Sequence, residues 1–102
     1  MYITMRRYEG VDIEALQQRT ESRPNDAGVV GLVSAFPGFV SYYLVDLGGG
    51  TLMAISVYMD AAEAEVSTST ALEWVRDNMS TVIPNPPEVF GGYVLRHAAA
   101  ES

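Results

Sequence analysis

The sequence has 102 residues, 48% of them hydrophobic, which is enough to form a core; we expect one domain over residues 1–102, with 97–102 as a frayed tail. The net charge is −7 and all six basic residues are arginines. Because phosphate backbones and anionic lipids need clustered cations, this balance excludes typical nucleic-acid-binding and membrane-surface proteins. The absence of cysteine excludes disulfides, thiolate nucleophiles and zinc sites built on cysteine.

Membrane insertion and secretion are also unexpected from the sequence. The first residues lack the apolar segment of a signal peptide, and no apolar run approaches the ~20 residues that span a bilayer. We therefore expect a cytoplasmic protein.

The first third of the chain predicts a strand followed by helix. Residues 2–9 alternate with the period of a β-strand, and Gly10 ends that strand. Asp12 is suited to cap a helix that begins at Ile13. Pro24 disfavours helix at the residue before it, so we predict an interrupted or kinked helix that closes at Pro37-Gly38.

Two further strands and a second helical segment follow. Residues 39–47 and 51–59 are β-rich runs joined by Gly48–Gly50, which predicts an antiparallel hairpin. Asp60 and Glu63 have capping-box spacing, which predicts a helix to about residue 81. Its serine and threonine run at 67–70 predicts a weak middle. Residues 88–96 form the last predicted strand.

The predicted order is therefore βαββαβ, a ferredoxin-like α+β fold with a four-stranded antiparallel sheet and helices on one face. We assign the faces by alternation. The helix-facing set is expected to be Ile3, Met5, Met53, Ile55 and Val57, and the open set to be Tyr2, Thr4, Arg6, Leu52, Ala54, Ser56 and Tyr58. A shift of one residue would reverse this assignment. Since neither face is polar, we expect a homodimer through the open sheet face.

Several local patterns resemble those of a known group. The segments that carry the resemblance are Arg6-Arg7-Tyr8, Pro37-Gly38-Phe39, residues 55–60, residues 74–78 and residues 84–89. Nearly the whole chain resembles the antibiotic biosynthesis monooxygenase-like proteins of the dimeric α+β barrel superfamily. The resemblance implies that two sheets form a barrel, and that each protomer has a pocket between its sheet and its helices. The monooxygenases of this group oxidise electron-rich aromatic polyketides with O₂ and without metal or flavin.

Three residues are candidates for catalysis. The guanidinium of Arg6 is suited to stabilise a phenolate or carbanion, or alternatively to pair with an acid across the dimer. Trp74 lies at the edge of the buried stripe of the second helical segment, where a tryptophan lines the site in some relatives; simple packing is the alternative. Asn78 lies one turn later, and it either hydrogen-bonds a substrate oxygen or caps the helix end.

Other side chains are candidates for the wall of the pocket, with interface packing as the alternative. They are Tyr2, Thr4, Tyr43, Ser56 and Tyr58. Haem-degrading relatives use a histidine on a helix, whereas the one histidine here, His97, follows the last strand, so we expect no haem and no other cofactor. Metal-ligand spacing is also lacking.

The sequence thus leaves three hypotheses for function. The first is a cofactor-independent monooxygenase acting on a small aromatic or polyketide-like molecule. The alternative is a non-catalytic small-molecule-binding or regulatory homodimer of the same fold. The third is a structural domain whose interior is filled by its own side chains.

Overall fold

The elements of the fold occur in the predicted order. The computed structural model describes residues 1–22 and 28–100. The strands and helices are β1 (Tyr2–Tyr8), α1 (Ile13–Ser22), α2 (Gly28–Ser34), β2 (Phe39–Gly48), β3 (Thr51–Tyr58), α3 (Ala61–Asn78) and β4 (Glu88–Tyr93). The first helical segment thus contains two helices, and the predicted break at Pro24 lies outside the described residues. The last strand ends three residues earlier than predicted.

The four strands form one antiparallel sheet in the order β2-β3-β1-β4. Helix α3 packs on β1 and β3, and α2 packs on β2 and against α3. The helices therefore cover one face of the sheet, which confirms the predicted ferredoxin-like α+β arrangement.

The predicted assignment of the two sheet faces is wrong. Thr4, Arg6, Ser56 and Tyr58 are at most 5% exposed and lie beneath the helices. The residues expected there, such as Met5 and Ile55, are only half-buried and lie on the open face. Both faces of these strands are rich enough in apolar groups that hydrophobicity alone did not distinguish them. The helices instead cover the face that carries the small and hydroxyl-bearing residues, which lets them approach the sheet closely.

A β-bulge on β2 adds a second departure from simple alternation. The pairing of β2 with β3 shifts between Phe39 and Ser41. As a result Phe39 and Tyr42 both lie on the helix-covered face, although an odd and an even residue would normally point to opposite faces. The bulge places Tyr42 beneath the helices and Tyr43 on the open face, where Tyr43 is 56% exposed.

Helix α3 begins as predicted, because the carboxylate of Asp60 accepts a hydrogen bond of 2.9 Å from the backbone N–H of Glu63. The helix runs without interruption through its serine and threonine run and ends at Asn78, shorter than predicted. Ser67 and Thr68 are buried against the sheet. Their hydroxyls find partners across that contact, which offsets their low helix propensity.

Backbone hydrogen bonds join the glycine turn between β2 and β3 to the segment after β1, and they join that segment to the one after α3. The N–H of Val11 donates to the carbonyl of Gly50 over 2.9 Å, and the N–H of Asp12 donates to the carbonyl of Val82 over 2.9 Å. Gly50 has a φ of +81°, and a Cβ there would lie 3.2 Å from the Val11 carbonyl oxygen. The segments after β1, β2 and α3 are thereby tied together around the core.

No helix in the described ranges combines the length and apolar character that a membrane span requires.

Candidate functional site

A cavity lies between the sheet and the helices near the C-terminal end of α3. Its volume is about 40 Å³, room for a few water molecules. The strands supply one side of the wall, and α1, the last turns of α3 and the segment after α3 supply the other. The lining residues are Arg6, Tyr8, Leu16, Tyr42, Leu44, Leu52, Ala54, Trp74, Val75, Met79 and Ile83.

Arg6 is the charged group of this lining, and it is only 2% exposed. Its Nη1 donates a long hydrogen bond of 3.5 Å to the hydroxyl of Tyr8. Within residues 1–22 and 28–100, no carboxylate forms an ion pair with Arg6. Burial of a cation is costly unless an opposite charge accompanies it, so an anion bound beside Arg6 would be stabilised by its charge.

Two tyrosines border the guanidinium, and both hydroxyls are neutral near pH 7. Burial raises the pKa of Tyr8 above its ordinary value of 10.0, and the positive charge of Arg6 opposes this rise. Burial likewise raises the pKa of Tyr42, again opposed by Arg6. Neither phenol therefore supplies the negative charge that Arg6 lacks, although each offers an O–H donor.

At the other end of the same interface, hydroxyl groups form hydrogen bonds that link the helices to the sheet. Tyr58 donates over 2.6 Å to the carbonyl oxygen of Val33 in α2, and its oxygen is also hydrogen-bonded to Ser67. Because the single Tyr58 proton goes to the carbonyl, the Ser67 hydroxyl is the donor in the second bond. Thr68 donates over 3.1 Å to Thr4. We call these five residues the hydroxyl seam.

The structure brings together two of the three predicted catalytic residues. Arg6 and Trp74 both line the cavity, with Trp74 half-buried against the core. Asn78 is exposed and outside the lining, and its Nδ2 donates over 2.9 Å to the Trp74 carbonyl. That contact matches the capping alternative for Asn78.

The five predicted pocket-wall residues lie away from the cavity lining. Thr4 and Tyr58 belong to the hydroxyl seam, and Ser56 is buried beside them on the same face. Tyr43 is on the open face. Tyr2 packs edge-to-face on Tyr93 at the β1–β4 side, with ring centroids 5.0 Å apart.

The two tyrosines that border Arg6 were not among the predicted site residues. Tyr8 had a usable signal, because it lies two residues after Arg6 in the same strand and so shares its face. Tyr42 had none, because only the bulge after Phe39 turns it toward Arg6.

The described residues contain no group of three histidine, cysteine or acidic side chains arranged to hold a metal ion. His97, the one histidine of the sequence, is exposed, follows the last strand and lies outside the cavity lining.

Comparison with known proteins gives matches at the level of structure. No family model and no curated protein matches the sequence. A protein of unknown function from Nitrosomonas europaea, NE2512, superposes with a TM-score of 0.71 at 16% identity, over 99% of this chain and 95% of that one. A monooxygenase from the gene ActVA-Orf6 of Streptomyces coelicolor, in complex with Nanaomycin D, gives 0.64 at 18% identity, over 99% and 92%.

SnoaB, a cofactor-independent oxygenase from Streptomyces nogalater, gives a TM-score of 0.60 at 16% identity, over 98% of this chain and 97% of that one. The similarity covers nearly the whole of each chain, and at these identities it concerns the fold. The chain therefore has the same α+β fold as these proteins.

Proposed function

We propose that this protein is a cofactor-independent monooxygenase that acts on a small aromatic molecule held between the sheet and the helices. The observation that carries the proposal is Arg6, a buried cation without a carboxylate partner in the described residues, at a cavity walled by Trp74 and apolar side chains. Two proteins of the same fold, described as a monooxygenase with Nanaomycin D and as a cofactor-independent oxygenase, support it.

The residues present suit the activation of a substrate anion. An aromatic molecule with an acidic C–H or O–H group loses a proton to water and becomes electron-rich. Arg6 stabilises that anion by its charge, and the indole of Trp74 packs on the ring. O₂ then converts an activated CH₂ group to C=O: one oxygen atom stays in the product, and the other leaves as water with the two hydrogens. The substrate itself supplies the electrons.

Even a ligand with one aromatic ring exceeds the present volume of about 40 Å³, since a cavity that binds benzene has about 150 Å³. The half-buried side chains of Trp74 and Met79 lie at its wall on the last turn of α3 and just beyond it. We propose that they shift to admit the substrate, as interface side chains commonly do on binding.

The test is O₂ uptake by the purified, chelator-treated protein with a panel of anthrones and hydroxynaphthalenes. Uptake above the uncatalysed rate is expected, with a loss of at least tenfold in Arg6→Met because the anion loses its counter-charge. Arg7→Met is the matched control, since Arg7 is the next residue, faces the other way and pairs with Glu9 over 3.0 Å.

If Arg6→Met and the wild-type protein take up O₂ at the same rate, the role assigned to Arg6 is contradicted. Binding of the panel without any O₂ uptake would contradict catalysis and favour the non-catalytic binding protein instead.

We also propose that the protein works as a homodimer through its open sheet face. The centre of that face carries Ile3, Met5, Met53, Ile55 and Val57, which are half-buried in the single chain. At its margins Tyr43 and Phe90 are 56% and 44% exposed. Contiguous apolar surfaces of this kind are uncommon on monomers, and a two-fold copy of the same face would cover it.

Light scattering coupled to size-exclusion chromatography tests the dimer. The wild-type protein should have the mass of two chains, and Ile55→Asp should have the mass of one, because it would bury two carboxylates at the interface. Val66→Asp makes a comparable change on the exposed side of α3, where Val66 is 54% exposed, and it should remain dimeric. A monomeric wild-type protein at micromolar concentration would refute the proposal.

A further inference from the structure

We infer that Leu44 on β2 is the gate of the cavity, and that a flat, uncharged ligand enters past it at the β2 edge of the sheet. By a gate we mean a residue that limits the width of the ligands that enter and the rate at which they do so. The inference deepens the proposed function and rests on it for the place where the ligand lies, but it does not require that the ligand reacts with O₂.

The exposure of the lining residues locates the opening of the cavity. Leu44 is 44% exposed, and it is the most exposed residue of the lining. The lining residues of the neighbouring strand, Leu52 and Ala54, are buried. Leu16 of α1 and Ile83 of the segment after α3 are buried as well. The cavity therefore meets solvent at Leu44.

The position of Leu44 along its strand explains this exposure. β2 is an edge strand, because β3 is its one partner among the described strands. At the start of β2, Phe39 packs on Tyr58 with ring centroids 5.8 Å apart, and Tyr58 donates to Val33 of the covering helix α2. Beyond the end of β2, the glycine turn accepts a hydrogen bond from Val11. Leu44 lies between these two ends, in the middle of the edge.

Leu44 is also suited to move when a ligand passes. Because nearly half of the residue faces solvent, a change of its side-chain rotamer widens the opening without displacing the buried core. Such changes are fast for exposed side chains, on the picosecond to nanosecond scale. The half-buried side chains of Trp74 and Met79 then make room inside the cavity, as proposed above.

The charges near the opening favour entry of an uncharged ligand. Asp46 lies two residues beyond Leu44 on the same face of β2, and its side chain accepts a hydrogen bond of 2.9 Å from the N–H of Gly48. Its carboxylate is exposed, and the chain as a whole has a charge of −7, so anions are repelled on approach. An apolar ring, in contrast, loses water-exposed surface when it contacts Leu44.

Trp74 provides the signal for a test of entry, because it is the one tryptophan of the chain and lines the cavity. The probes are nitrobenzene and the wider 1-nitronaphthalene, two uncharged compounds that quench indole fluorescence on contact and do not react with O₂. Stopped-flow mixing with the wild-type protein gives the association and dissociation rate constants. We expect saturable quenching by both probes, with association of 1-nitronaphthalene slower by about threefold or more.

The variants assign the gate to one residue. Leu44→Ala should raise both rate constants of 1-nitronaphthalene by about threefold or more and change its dissociation constant by less than about twofold, because a wider gate lowers the barrier in both directions. Leu44→Phe should lower both rate constants. Nitrobenzene should respond less to either change. Leu47→Ala is the matched control, since Leu47 is a leucine of β2 that is 54% exposed and outside the lining, and it should behave as wild type.

Four outcomes would overturn the inference. If both Leu44 variants keep the wild-type association rate constants, the ligand enters elsewhere. If they change the dissociation rate constant alone, Leu44 contacts the bound ligand and is not a gate. If Met79→Ala accelerates association more than Leu44→Ala, the entrance is at the end of α3. If the wild-type protein shows no saturable quenching, both this entrance and the proposed ligand site are refuted. Gating by Leu44 in a protein without O₂ uptake would instead refute the oxygenase and support the gate.

Discussion

Both ends of the interface between sheet and helices contain buried polar side chains, but the hydrogen bonding of these side chains differs between the two ends. At the hydroxyl seam, Tyr58 contacts both Val33 and Ser67, and Thr68 contacts Thr4, so the hydroxyls bond to one another across the helix–sheet contact. At the cavity, Arg6 and its tyrosine neighbours line an open volume, and the hydrogen bond from Arg6 to Tyr8 is 3.5 Å long.

This difference separates buried polar groups that stabilise the fold from buried polar groups that are proposed to bind a ligand. Groups that satisfy one another contribute to stability, because separating them leaves desolvated donors and acceptors. A buried cation with weak partners costs stability and is retained for another reason. The predictions below test whether the two ends respond to substitution with opposite signs.

The largest effect is expected at Tyr58. Tyr58→Phe keeps the shape of the ring but leaves the Val33 carbonyl and the Ser67 hydroxyl without the partner they share. We expect the free energy of unfolding to fall by about 3 kcal/mol, since each orphaned buried group costs about 1–3 kcal/mol. Urea denaturation measures this, with Tyr93→Phe as the control because Tyr93 is 72% exposed. Equal stability of the two variants would mean that the seam does not stabilise the fold.

The opposite sign is expected at Arg6. Arg6→Met removes a desolvated charge and fills the same space with apolar atoms, so we expect the free energy of unfolding to rise by about 1–2 kcal/mol. Arg7→Met, at a half-buried position on the open sheet face, should stay within about 0.5 kcal/mol of wild type. A large loss of stability in Arg6→Met would show that Arg6 is a structural residue, and the contrast between the two ends would then fail.

A smaller effect is expected at the threonine pair. Thr68→Val leaves the Thr4 hydroxyl without the bond it receives and should cost about 1 kcal/mol. Adding Thr4→Val removes both polar groups, and the double variant should recover most of that loss. A double-mutant cycle in urea gives the coupling energy. Strictly additive losses would indicate that the two hydroxyls do not interact.

The order of elements could be predicted from sequence because local signals determined it. Strand alternation over 2–9, the cap at Asp60 and the glycine turn at 48–50 each depend on neighbours in the chain. The choice of face could not be predicted in the same way. Hydrophobicity favoured Ile3 and Met5 for the helix side, whereas close helix packing and the hydroxyl contacts of the seam depend on residues more than sixty positions apart, such as Thr4 and Thr68.

The candidate site was predictable to a similar degree. Arg6 and Trp74 stood out because a charged residue on the apolar and aromatic face of a strand and the one tryptophan of the chain on a helix edge are unusual in their surroundings. Tyr42 and Tyr43 show why the rest could not be found. The two are adjacent and chemically identical, and only the register shift after Phe39 decides which of them faces Arg6.

The smallest effect is expected on the free energy of unfolding at alkaline pH, and it involves tyrosines at both ends of the interface. Burial raises the pKa of Tyr8, Tyr42 and Tyr58 above 10.0, so the unfolded chain ionises at lower pH than the folded protein. Stability is therefore complete below pH 10 and falls as the pH rises through 10 toward the folded pKa values. Each tyrosine kept neutral by folding lowers the free energy of unfolding by about 0.4 kcal/mol at pH 10. Urea denaturation between pH 8 and 11 should show this slope, and Tyr8→Phe should reduce it by one tyrosine's share, because the phenylalanine has no proton to lose in either state.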